Sequence, residues 1–428
     1  MIGILIGIAV LMILAYRGWS IIWVAPIAAG VVALTGGLDL LDAYAGTYMS
    51  GFVDFAKQWF PVFMLGAIFG KLMEDTRMAA TIAVTLTKVI GSKRAILGVL
   101  LATSVLTYGG VSLFVVVFAV YPLALALFRE ANLTRRLLPP TIALGAFTFT
   151  MAAIPGNPQI QNLIPTTHFN TTAAAGPIMG SVAAIVIAGG GYAYLRWREN
   201  QLSSRGEFFT EPKDKQIIDH ENDRLPNFFL SIIPLLIVLV TLNLFGWHII
   251  VALITGIVAI MLFNTHRWRK FVTSLNSGAS GSVLAIINTS AAVGFGTVVQ
   301  AVPAFDRLVN SLLSLGGNPL ISLAIATNVM AGATGSGSGG IAITLEALGE
   351  QYYNLALETG LNPEALHRIA TLSGGGLDAL PHNGAVITLL VVTGLTHKES
   401  YKDIFVVAVL IPIVATVVAI AMASMGLV

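Results

Sequence analysis

The 428-residue chain has no cysteine. That excludes disulfide scaffolds, thiolate metal sites, iron–sulfur clusters and thiol nucleophiles. Charge is almost as scarce: charged residues make up 10% of the chain against 56% hydrophobic, and the mean hydropathy is +0.84. So small a polar stock cannot clothe a water-soluble surface, which makes this an all-α polytopic membrane protein. No H-E-x-x-H, Walker A or G-x-S-x-G pattern occurs, and no paired histidines suit zinc. Enzymatic and ATP-driven readings therefore lose their anchors. No cofactor, resident metal or nucleic-acid partner is expected. The apolar stretch from Ile2 to Ala15 lacks a basic segment before it and a small-residue cleavage pattern after it, and so reads as a retained span.

What is present is doubled. The stretch from Leu11 to Ile160 returns roughly 226 to 228 positions later. Gly18-Trp19 returns as Gly246-Trp247, Ser50-Gly51 as Ser277-Gly278, and Gly70 as Gly296. Gly91 returns as Gly317, Gly109 with Ser112 as Gly335 with Ser338, and Pro155 with Asn157 as Pro381 with Asn383. Ten segments are apolar and long enough to cross a bilayer, given some tilt. They are Ile2 to Tyr16, Ile21 to Thr35, Phe55 to Leu72, Pro140 to Pro165, Ala174 to Leu195, Phe228 to Phe245, His248 to Phe263, Ser282 to Val302, Ile369 to Val392, and Ile404 to Met425. The fourth and ninth are broken inside. Two further regions, 95–128 and 320–357, are cut by glycine-rich polar runs; each is two full spans joined by a turn or a re-entrant hairpin, with the same parity either way, and both are read as re-entrant hairpins.

Placing both termini outside puts 20 of the 23 basic residues on the cytoplasmic side, leaving Lys57, Arg307 and Arg368 outside. This is the bias that orients membrane proteins. Each half then crosses the membrane five times, so the second enters upside down, as an inverted-topology repeat. The expected organisation is an N-terminal repeat over 1–195, a solvated cytoplasmic linker over 196–227, and a C-terminal repeat over 228–428. Short amphipathic pieces at Met78 to Ile90 and Ala304 to Leu315 are expected along the membrane interfaces.

Four polar interruptions carry the chemistry: TYGGVS with GATGSGSGG, and AIPGNPQIQN with DALPHNGAV. Irregular backbone at membrane depth survives only when buried in protein or lining a wet cavity, so the four should converge. The turns at Tyr108, Gly109 and Gly110, and at Gly335, Ser336 and Gly337, bring bare N–H groups toward a ligand. Ser112 and Ser338 are expected to cap the arms that follow. Such helix starts suit a carboxylate. Pro155 and Pro158 around Gly156-Asn157, and Pro381 before His382-Asn383, unwind helices near their middles. The freed carbonyls, with Asn157 and Asn383, suit a cation, sodium included. Asp378 and His382 are the ionisable groups placed to couple ion movement. Gln159, Gln161 and Asn162 give the first broken helix a wet face.

The segments GKLMEDTRMAATIAVTLTKVIGSKRAIL, TYGGVS, IPGNPQIQNLIPTTHF and LDALPHNGAV resemble the gluconate:proton symporter (GntP-type) permeases of the ion transporter superfamily. The resemblance implies an inner-membrane homodimer whose hairpins and broken helices move as an elevator. The fixed scaffold would come from Ile2 to Thr35 and Phe228 to Phe263. It also implies uptake of a small hydroxycarboxylate anion, such as gluconate or 3-hydroxybutyrate, by symport with H+. A sodium-coupled carboxylate symporter is the alternative. An intramembrane enzyme acting on a lipid-linked phosphate would need basic residues at the interruptions, and none stands within them.

Overall fold

The structure, a computed structural model, describes residues 2–17, 19–111, 113–212, 225–305, 307, 318–381 and 383–428. Among them every regular element is helical. Ser112, His382 and most of the expected Ala304 to Leu315 helix lie outside the described residues.

Helices α1 (Ile2–Tyr16) and α2 (Ile21–Gly36) pack antiparallel, Gly3 facing Thr35 and Gly7 facing Val32, and left-handed Gly37 ends α2. Helix α3 (Leu40–Asp75) follows, capped by the Asp39 carboxylate on the N–H groups of Leu41 and Asp42. Next come α4 (Met78–Ile90), α5 (Ala95–Tyr108), α6 (Leu113–Glu130), α7 (Leu138–Ala146), the short α8 (Phe149–Ala152), α9 (Ile160–Phe169) and α10 (Pro177–Ser204). The second half runs α11 (Phe228–Asn243), α12 (Ile249–Phe263), α13 (Trp268–Ala301), α14 (Pro319–Thr334), α15 (Gly337–Thr359), α16 (Pro363–Gly374), α17 (Gly384–Thr393) and α18 (His397–Ser424). The two regions expected as hairpins form packed helix pairs, α5 with α6 and α14 with α15.

Among the described residues, four helical stretches are individually long and apolar enough to cross a bilayer: α3, Thr265–Ala301 containing α13, α10 and α18. A fifth is the bent pair of Pro363–Ala379 with Gly384–Thr393, which turns through 52°. The shorter α1, α2, α11 and α12 have 15 or 16 residues each. At 1.5 Å per residue such helices reach roughly 22–24 Å, less than the ~30 Å hydrocarbon core. Ten complete crossings are thus more than helix length alone provides.

The paired glycines of the two halves explain the central packing. A Cβ on Gly51 would lie 1.9 Å from the Thr297 hydroxyl, and one on Gly278 would lie 2.7 Å from the Ile68 backbone. Each glycine lets α3 and α13 touch, once near either end, so the two helices run in opposite directions. Helix α13 also packs on α2, and α3 on α12. Both long helices begin well before the segments expected from hydropathy, and the polar start of α13 finds partners at the end of α3. Ser274 donates to Asp75 at 2.6 Å, and Lys71 pairs with Asp75 at 2.9 Å.

Helix α4 forms over the expected residues and buries Met78, Ala79, Ile82 and Ala83 against protein, leaving Lys88 exposed. The linker is less free than its composition suggests. Helix α10 carries on to Ser204, and beyond it Glu207 and Glu211 pair with Arg136 and Arg129, each at 2.7 Å. A buried Arg198–Asp403 pair at 2.9 Å, with the Tyr194 hydroxyl donating to the same carboxylate oxygen at 2.6 Å, ties α10 to α18.

Candidate functional site

At the first hairpin tip the chain reverses through Gly110, whose φ of 93° suits glycine. Gly109, the residue matched by sequence to Gly335, does something else. A Cβ there would sit 2.2 Å from Leu235, so this glycine lets the tip press on α11. The N–H groups of Gly109, Gly110 and Val111 return to the carbonyls of Val105, Thr107 and Leu106 at 3.0, 3.0 and 3.1 Å. These donors are therefore used within the tip itself.

The tip is bound to the first break. The Tyr108 hydroxyl donates to Pro155 O at 3.1 Å, and Gln159 Nε2 to Thr107 O at 2.6 Å. Asn157 is wholly buried and folds the break on itself, donating to Ile154 O at 2.6 Å and accepting from Gln159 N at 3.1 Å. The broken helix has a second interruption, unforeseen from sequence, between α7 and α8. There the hydroxyls of Thr148 and Thr150 donate to the carbonyls of Leu144 and Gly145 at 2.6 and 2.7 Å, competing with the helical amides.

The second tip is a helix start. Gly335 closes α14 at φ 60°, and Ser336 is the N-cap of α15, its Oγ accepting from Gly339 N at 3.1 Å. The capping role expected of Ser338 thus falls to Ser336. Ser338 instead lies inside the first turn with its Oγ 3.3 Å from that of Ser336. Ser336 is preferred because its extended backbone (φ −153°, ψ 121°) aims the side chain at the turn that follows. Asn383 reaches this tip from the second break, donating to Gly335 O at 2.8 Å. Its Oδ1 accepts from Ala385 N at 2.6 Å and Val386 N at 3.0 Å, capping α17. The break is wider than Pro381 alone would make it, because Gly374-Gly375-Gly376 already ends α16.

Asp378 occupies a turn within this break, beside the backbone amides of Gly337 and Ala379. Its Oδ2 lies 3.0 Å from where a Gly337 Cβ would be, so only glycine leaves it room. Its Oδ1 is buried without a hydrogen-bond partner. A buried carboxyl group with one oxygen beside the start of α15 and the other without a partner is thus suited to taking up and releasing a proton.

Arg368 is the residue that sequence reasoning missed. Assigned by topology to the outer side, it is fully buried with its guanidinium inside the first break. Nη1 donates to Ala152 O at 3.1 Å and to Asn162 Oδ1 at 3.0 Å, Nε donates to Ala175 O at 3.1 Å, and Nη2 shares that carbonyl. Asn162, expected on a wet face, is likewise wholly buried, and its Nδ2 donates to Asn157 O at 2.9 Å and Ala173 O at 2.8 Å. A basic residue does therefore stand at an interruption. Its donors are committed to protein oxygens rather than set out for a phosphate.

Of the expected site residues, the structure joins Tyr108 and its tip to Asn157's segment, and Gly335, Ser336 and Gly337 to Asp378 and Asn383. Helix α16 links the two groups, since Thr371 donates to Ala152 O at 2.8 Å and a Gly375 Cβ would meet Ala152 at 3.3 Å. Among the described residues no hydrogen bond runs directly between the two tips. A cavity of about 220 Å³ opens elsewhere, between α2 and α3.

Residues 1–287 match the family described as GntP family permease, and residues 225–427 the one described as Na+/H+ antiporter family. Among curated proteins, the chain is similar to the "Uncharacterized transporter YxjC" of Bacillus subtilis (strain 168). The two are 42% identical over 95% of each chain. A shorter likeness, 31% identical over 42% of this chain and 40% of the other, is to an "Uncharacterized transporter" of Haemophilus influenzae. Among solved structures, the YdaH transporter of Alcanivorax borkumensis, described as having an unusual topology, superposes with a TM-score of 0.58. That match covers 90% of this chain and 88% of the other at 14% identity, a likeness of fold alone.

Proposed function

The chain belongs to the GntP permease family of transporters, and on that premise we propose that it is a secondary active transporter of the bacterial inner membrane. It takes up a small hydroxycarboxylate anion, of the gluconate or 3-hydroxybutyrate kind, together with H+. The observation that carries this reading is the second tip. The start of α15, with the Ser336 and Ser338 hydroxyls, offers dipole and donors to a carboxylate. The open Oδ1 of Asp378 beside it offers a place for the coupling ion.

The hairpins and broken helices form the moving part of an elevator, and α1, α2, α11 and α12 its scaffold in a homodimer. The opposed run of α3 and α13, with reciprocal glycines at positions matched between the halves, supports an inverted repeat. The Gly109–Leu235 contact is then one place where the moving and fixed parts meet. Sodium as coupling ion is the second reading, and the match of residues 225–427 to the Na+/H+ antiporter family favours it. A thermal-shift screen of organic acids at several pH values, with sodium exchanged for potassium, tests both. Stabilisation by hydroxycarboxylates that deepens with acidity supports H+, deepening with sodium supports the alternative, and stabilisation by no organic anion contradicts the whole reading.

A further inference from the structure

The first break releases carbonyls just as the second does, and in a transporter such carbonyls commonly receive a cation. Here a side chain from the other half supplies one. Arg368 lies on α16, and its guanidinium is enclosed by Ala152 O at the end of α8, Ala175 O before α10, and Asn162 Oδ1 on α9. This is an all-oxygen cage of two backbone carbonyls and one amide. Among the described residues no carboxylate stands within ion-pair distance of Arg368. Glu364, one turn earlier, accepts from Gly176 N at 2.9 Å instead.

The cage is built for its occupant. A Cβ on Gly180 would lie 3.0 Å from Arg368 Nε, and a Cβ on Gly176 3.0 Å from Arg368 Cβ, so two glycines of the N-terminal half make the room. Asn162 is fixed in orientation by giving both amide hydrogens to carbonyls, which turns its oxygen to Arg368 and to His367 Nε2 at 3.2 Å. The Thr171 hydroxyl lies 2.7 Å from His367 Nδ1, holding the ring on that side. Arginine keeps its charge under any physiological condition, so the cage is never vacated by deprotonation.

We propose that Arg368 is a resident cation occupying the carbonyl cage of the first break, so that an exchangeable coupling cation binds only at the second break. The part concerning coupling rests on the symport reading above; the occupancy of the cage does not.

The test is the melting temperature of the purified full-length protein, measured without any transport substrate. Arg368→Ala should melt below the parent. Millimolar methylguanidinium should raise the melting temperature of the variant and leave the parent unmoved, while N-methylurea, similar in shape and uncharged, should do nothing. A variant that ignores methylguanidinium, or answers N-methylurea equally, overturns the proposal. If Arg368→Ala yields no folded protein, the comparison passes to Arg368→Lys and Arg368→Met. Folded, transporting lysine variant with a defective methionine variant supports a required charge, and equal behaviour of the two overturns it. Success in melting with no cation-driven uptake in the parent would leave the cage assigned and refute the symport reading, whereas the converse would refute the resident cation alone.

Discussion

The two broken helices are written with nearly the same residues, proline before asparagine in each, yet their interiors have opposite character. In the first, most of the freed backbone carbonyls described are taken up by side chains: Asn157 closes on its own segment, Arg368 and Asn162 bind Ala152 O, Ala175 O, Asn157 O and Ala173 O, and Asn243 binds Gly156 O, while Gln161 Oε1 stays without a partner. In the second, Asn383 ties the break to the hairpin tip and Asp378 keeps an unanswered oxygen. The unpartnered oxygen of the second break belongs to a carboxyl group, which can take up and release a proton, and that of the first to an amide, which cannot. On the proposed symport reading, the first break then has a structural task and the second the coupling task.

The substitution expected to break this contrast most completely is Asp378→Asn. It should abolish gradient-driven accumulation while substrate exchange between the two sides persists, as read by uptake against counterflow in liposomes. Loss of both would mean Asp378 holds the fold instead. The absence of native cysteine makes the next test clean. A Gly109→Cys, Leu235→Cys pair, at positions whose Cβ atoms would be 2.9 Å apart and need to part only slightly to reach the ~3.5–4.5 Å of a disulfide, should cross-link on mild oxidation and stop uptake until reduced. Undiminished transport by the cross-linked protein would contradict movement of the first tip past α11.

A smaller effect is expected where the arms of the second hairpin touch. A methyl group from Gly340→Ala would lie 2.3 Å from Ala331 N, so this change should cost about 1–3 kcal/mol and lower the melting temperature. The smallest is Asn383→Ala, which removes the α17 cap and should cost about 1–2 kcal/mol. Because it also frees Gly335 O, it should raise KM for the substrate, and Asn157→Ala should affect stability alone. An equal rise of KM in both variants would erase the contrast between the breaks.

Much of the layout is legible in the residues themselves. Glycine, proline and asparagine inside apolar stretches mark places where a helix cannot continue, and helices end at all four of them. Glycine identity was readable, whereas glycine purpose was not: Gly109 and Gly335 match in sequence, yet the left-handed turn of the first tip belongs to Gly110. Arg368 was hidden for a similar reason. A lone arginine between Pro363 and Gly374 looks like a helix end in water, and nothing local announces that Ala152, Asn162 and Ala175, about two hundred residues earlier, surround it. The cap at Ser336 depended on its extended backbone, which a run of Gly and Ser leaves open.

The most direct measurement is the uptake of labelled 3-hydroxybutyrate or gluconate by the purified protein in liposomes, with an imposed inward proton or sodium gradient. Accumulation above equilibrium that collapses when the gradient is dissipated is the predicted result, and flux indifferent to both gradients would contradict the account.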